Sequence, residues 1–156
     1  YCCDRHDVCY STCGISKEMC EADFGKCMKN LCRTTFPSNP QCESAAQLYQ
    51  MGTTMFGGGG FDDLQKDYCE CIHESEVTTQ YASLFQTIYQ GHSQKSETEI
   101  AETVDRLMAK MGSSASVRKL GNLFYQMLKK YDSAIQHEGA RVGANPPKPK
   151  SKKDEL

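Results

Sequence analysis

Residues 2–10 read Cys-Cys-Asp-Arg-His-Asp-Val-Cys-Tyr, and in this stretch the residue types and their spacing suit chemistry. His6 and Asp7 are adjacent, with Cys2, Cys3 and Cys9 around them. An imidazole takes up a proton near neutral pH, and a neighbouring carboxylate is an oxygen donor for a hard cation. In an oxidising compartment cysteines at this density fix the geometry of both groups through disulfides. The other histidines, His73, His92 and His137, have no comparable setting and are expected to face solvent. Cys69, Cys71 and His73 are zinc-ligand types. However, one residue separates the two cysteines, against about two to four in structural zinc sites, which argues against zinc.

These residues need a scaffold, and the cysteines describe one. Residues 2–13 and 18–32 read as two helices joined by a turn at Gly14-Ile15-Ser16. Cys2 and Cys9 are seven apart, as are Cys20 and Cys27. Seven residues make about two helical turns, so each pair lies on one face of its helix. If the helices run antiparallel, Cys2 meets Cys27 while Cys9 meets Cys20. Pro37 and Pro40 mark a loop over 33–42, and residues 42–56 read as helical. Gly57 to Gly60 should interrupt any helix, and without a following Lys and Ser/Thr they are a connector rather than a phosphate loop. Residues 62–91 suit one long helix with Tyr81, Leu84, Phe85 and Ile88 as its apolar stripe.

All ten cysteines lie within residues 2–71, which separates a disulfide-stapled module from a segment folded by other means. In that second segment Ser96 and Glu99 form a capping box ahead of Ile100, Val104, Leu107, Met108 and Met111. A second stripe runs Leu120, Leu123, Phe124, Met127, Leu128, Tyr131. Spacing by three and four marks two amphipathic helices, expected to bury against each other or the first module. The division expected is therefore 1–76, a helical extension 77–137, and a polar tail 138–156 rich in proline and lysine. The net charge of −2 gives no reason to expect nucleic acid as a partner. The final residues, Lys153-Asp154-Glu155-Leu156, match the address read by the KDEL receptor, which implies retention in the endoplasmic reticulum lumen. Entry to that lumen requires a signal, so further sequence is expected ahead of Tyr1.

The pattern C-C-x-x-H-D-x-C-Y, filled without a mismatch, resembles the active-site helix of secreted phospholipase A2. Cys20-Glu21-Ala22-Asp23-Phe24-Gly25-Lys26-Cys27 is similar to the second active-site helix of that family. Cys13-Gly14, Cys32, Cys42-Glu43 and Cys69-Glu70-Cys71 resemble its group XII branch, where no β-hairpin separates the helices. The resemblance implies an all-α fold, a disulfide-stapled antiparallel helix pair with additional helices. It also implies the bridges Cys2–Cys27 and Cys9–Cys20. His6 corresponds to the general base that activates water, and Asp7 to a bidentate Ca²⁺ ligand. Glu21 corresponds to the acid behind the imidazole, and Tyr10 to the tyrosine bonded to that acid. Glu21 stands where the family has Asp, which makes Asp23 a substitute candidate.

The resemblance implies calcium-dependent hydrolysis of the sn-2 ester of glycerophospholipids at a phospholipid membrane surface. The Gly-rich calcium loop that lies ahead of this helix in the family is not among these residues, so Cys3 lacks its family partner. Alone, the chain is expected to bind calcium weakly. Two other readings stand beside this one. The first is a catalytically weak or inactive lipid- or protein-binding module; the second is an interaction protein of the endoplasmic reticulum acting through residues 97–137.

Overall fold

A computed structural model of the chain describes residues 1–112 and 115–135. The tail 138–156, with its terminal address and His137, lies outside the described residues. Seven α-helices and one short 3₁₀ turn form the described structure, with no strand among them, so the fold is all-α.

Helix α1 (Cys2–Tyr10) and helix α2 (Lys17–Thr35) are joined by a tight turn. Gly14 holds a φ of +76° there, a left-handed conformation that a side chain disfavours. A Cβ at Gly14 would also strike Val117 of a later helix. Ser16 then caps α2 by accepting from the Met19 amide. Disulfides Cys2–Cys27 and Cys9–Cys20 clamp the pair along its length.

Helix α3 (Pro40–Phe56) starts at an Asn39 cap with proline in its first turn and is bridged to α2 by Cys32–Cys42. Helix α4 (Gly58–Tyr68) follows after Gly57 alone. The glycine run thus breaks the chain only at Gly57; Gly58 to Gly60 are the first turn of α4, where Phe61 and Leu64 pack on the core. The single long helix expected over 62–91 is two. Residues 69–73 belong to no helix, and α5 (Glu74–His92) restarts under the His73 cap, whose Nδ1 accepts from the Ser75 amide. The break is enforced by Cys13–Cys69, which ties the end of α4 to the turn after α1.

Helix α6 (Glu97–Met111) opens on the capping box of Ser96 and Glu99, and α7 (Val117–Lys130) precedes a 3₁₀ turn at Asp132–Ala134. Helices α5 to α7 share a core of Tyr81, Phe85, Ile100, Val104, Leu120 and Met127. A second core joins Cys9, Tyr10, Ile15 and Cys20 to Tyr125 of α7. The extension therefore buries its stripes against both itself and the helix pair. Gly121 permits this approach, because a Cβ there would meet the Cys13 carbonyl.

Asp23 is the polar part of that junction. It lies among Arg5, Tyr125 and Lys129, so it is not placed to substitute for Glu21. Its Oδ2 accepts from Arg5 at 2.7 Å and from the Tyr125 hydroxyl at 2.8 Å, and its Oδ1 from Lys129 Nζ at 2.7 Å. Burial alone would raise the Asp23 carboxyl; the hydrogen bonds from Lys129 and Tyr125 and their charged surroundings bring it below its ordinary value of 3.8. A depressed carboxyl contributes stability above its unfolded pKa, and that contribution disappears as pH falls through the folded value. Asp23→Asn is therefore expected to lose about 2–3 kcal/mol at pH 7. In urea unfolding, the gap between wild type and variant should narrow as pH falls below the ordinary carboxyl value of 3.8 and the wild-type side chain takes up its proton.

Candidate active site

Helix α1 turns His6 inward and Asp7 outward, since successive helical residues are about 100° apart. His6 is buried and Asp7 exposed. The His6 ring lies against Tyr10 and Phe24, with centroids 4.2 and 4.6 Å away. Phe61 of α4 closes the stack edge-on to Tyr10 at 5.1 Å. These rings fix the imidazole plane and keep water from its inner edge.

Glu21 lies behind the imidazole and is only 5% exposed. Its Oε1 is 3.3 Å from His6 Nε2 and also accepts the Tyr10 hydroxyl, while Oε2 accepts from Thr53 Oγ1. Lys17 Nζ stands 3.7 Å from Oε1. Burial on its own would raise the Glu21 carboxyl. The donors Thr53 and Tyr10, together with His6, outweigh it and hold the group below its usual value. Glu21 is therefore an ionised acceptor at neutral pH, so His6 Nε2 carries the hydrogen. Nδ1 is then the nitrogen left to take a proton. Burial, first, and the bond to Glu21 push the Tyr10 hydroxyl well up, so it remains a donor.

Several contributors here carry no sequence signal. Thr53 resembles any helical threonine until α3 is placed beside α2. Gly57 stands against Tyr10 so closely that a Cβ would strike the phenol oxygen and the Thr53 carbonyl. Gln65 of α4 donates from Nε2 to the carbonyls of Tyr10 at 2.6 Å and Thr12 at 3.0 Å, fixing the end of α1. Away from the site, His73 is an exposed cap, and His92 Nδ1 meets Ser133 Oγ at 2.9 Å. Cys3 and Cys71 are exposed and unbridged among the described residues.

Asp7 offers one exposed carboxylate, and no group of three or more His, Cys, Asp or Glu among the described residues could hold a metal. Calcium takes about six to eight oxygens, of which one carboxylate supplies at most about two. The described residues do not by themselves fit a calcium ion.

A stapled helix pair carrying a buried His–carboxylate–Tyr arrangement defines the phospholipase A2 class of fold, and comparison narrows it. Residues 1–79, about half of the chain, match the family described as group XII secretory phospholipase A2 precursor. The chain belongs to the group XII secretory phospholipase A2 family. It is 33% identical over 82 residues to the group XIIA secretory phospholipase A2 of Mus musculus, covering 49% of this chain and 43% of that protein. The Homo sapiens protein of the same description is 32% identical over the same shares. A group XIIB secretory phospholipase A2-like protein of Mus musculus is 35% identical, covering 48% of this chain and 42% of its own length. The chain thus spans less than half the length of these relatives. No solved structure is a significant match.

Removing one donor from Glu21 tests how its charge is held. Thr53→Val should move the Glu21 titration upward while leaving helix content unchanged, with the midpoint read by carboxyl NMR. An unmoved midpoint would show that Thr53 does not stabilise the carboxylate.

Proposed function

We propose that the chain carries the base and orienting acid of a phospholipase A2 that hydrolyses the sn-2 ester of glycerophospholipids. The observation that supports this reading is the buried Glu21 carboxylate at His6 Nε2, shared with Tyr10. A water positioned at His6 Nδ1 gives up a proton as its oxygen attacks the ester carbonyl. The imidazolium formed is stabilised by Glu21, which stays ionised, as in triad logic. Collapse of the tetrahedral species breaks the bond to the glycerol oxygen, and His6 returns the proton to that oxygen. The products are a fatty acid and a lysophospholipid, with no covalent enzyme intermediate.

Asp7 is the residue that family resemblance assigns to Ca²⁺. Bound there, the ion would supply positive charge to the ester carbonyl oxygen. Glu21 in place of the family's aspartate, together with the added helices, supports a second reading, in which the scaffold binds lipid or protein without turnover. Membership of a secretory family, with no described helix long and apolar enough to cross a membrane, supports a place in the secretory pathway. The terminal Lys-Asp-Glu-Leu supports retention in the endoplasmic reticulum by the KDEL receptor.

Two experiments check these assignments. Fatty-acid release from phosphatidylcholine vesicles should be measured across free calcium for the wild type and His6→Gln. The expected result is a loss of about a hundredfold or more in the variant, with circular dichroism unchanged. No release from a folded, correctly bridged wild type, at any calcium level, would leave the binding module. In secreting cells, deletion of residues 153–156 should move the protein from the cell to the medium, whereas unchanged retention would remove the KDEL receptor from the account.

A further inference from the structure

Helix α3 has an apolar face on the wrong side for a core residue. Leu48, Tyr49, Met51, Met55 and Phe56 are between 57% and 80% exposed. At 3.6 residues per turn they fall within roughly half the helix circumference. The opposite side is occupied: Ala46 is buried, Gln50 packs over Gly25, and Thr53 donates to Glu21. Between Glu43 and Asp62 the sequence holds no charged residue. Contiguous exposed apolar surface of this kind marks a binding face.

We infer that the outer face of α3 is the surface by which the protein lies on a zwitterionic phospholipid bilayer. This rests on the phospholipase reading, to which it adds the docking element. The occupant follows from the chemistry of the face. A protein partner is normally registered by a polar, hydrogen-bonding rim, and steered by complementary charge. Here the whole segment lacks charge, and Tyr49 supplies the amphipathic ring suited to a lipid–water boundary. An anionic surface would call for several lysines or arginines, and none occurs between residues 44 and 61; the lysine that reaches α3, Lys17, is engaged with the Thr54 carbonyl at 2.8 Å. The tail 138–156, dominated by lysine, proline and other polar residues, is chemically unlike a cover for this face. The same helix carries Thr53 to Glu21 on its inner side, so one element presents both the apolar face and a donor to the carboxylate behind His6.

The chain contains no tryptophan, so Phe56→Trp introduces a single reporter. In a His6→Gln background, which leaves vesicles intact, its emission should shift to the blue on phosphatidylcholine vesicles and be quenched by bromine-labelled acyl chains. Leu48→Ser/Met51→Ser/Met55→Ser should weaken vesicle co-sedimentation at least about tenfold with helix content unchanged. The same serine variant with His6 intact should hydrolyse dispersed short-chain phosphatidylcholine at the wild-type rate and vesicles more slowly. A folded reporter with no vesicle-dependent shift overturns the inference. A shift that follows protein concentration without lipid also overturns it, in favour of a second copy of the chain. Vesicle binding through the face without hydrolysis of either substrate would uphold the surface and defeat the phospholipase reading. Hydrolysis of dispersed substrate without vesicle binding would do the reverse.

Discussion

The arrangement depends on one buried charge. Removing a carboxylate from water is costly unless its lone pairs are satisfied, and Glu21 meets that condition with groups from three helices. His6 and Tyr10 come from α1 and Thr53 from α3, while Lys17 stands one turn away on α2 itself. None of these helices can slide without leaving the charge short of a donor. The extra methylene of glutamate over aspartate carries the carboxylate outward from α2, to where α1 and α3 both reach it. The residue behind the histidine therefore works with the bridges Cys2–Cys27, Cys9–Cys20 and Cys32–Cys42 to hold the spacing of the helices.

Much of this was legible in the sequence because cysteine spacing is a geometric statement. Two pairs seven apart allow one antiparallel closure, and Cys2–Cys27 with Cys9–Cys20 is the closure the structure holds. The amphipathic stripes of α6 and α7 were equally readable, since apolar periodicity reports burial. What could not be read were consequences of contacts far apart in the chain. Nothing local distinguishes Thr53 from a solvent-facing threonine. Nothing in residues 62–91 announces that a bridge from Cys13 will interrupt a good helix at Cys69. Asp23 looked interchangeable with Glu21 from its position in α2, yet two residues along a helix is more than half a turn around it. It therefore faces α7, where Tyr125 and Lys129 meet it.

That junction gives the extension a structural meaning that its lack of family similarity conceals. The family match ends at residue 79, whereas the second core runs on to Tyr125. Helix α7 works on two sides. Leu120 and Met127 close the core with α5 and α6, and Tyr125 and Lys129 complete the helix pair. The hydroxyl of Tyr81 adds a bond to the Cys13 carbonyl at 2.5 Å, and burial pushes that phenol up to about 12, so it remains a donor.

Asp23 and Lys129 are 106 residues apart, and a chain is made from one end. During synthesis the three short bridges, spanning 10, 11 and 25 residues, come within reach early. The bridge spanning 56 must wait for α4 to emerge, and the carboxylate of Asp23 waits longer, for the last helix. Until then Asp23 and Arg5 have only each other and water. The bonds that Asp23 makes to Tyr125 and Lys129 therefore cannot form until α7 has left the ribosome, whatever the state of the bridges.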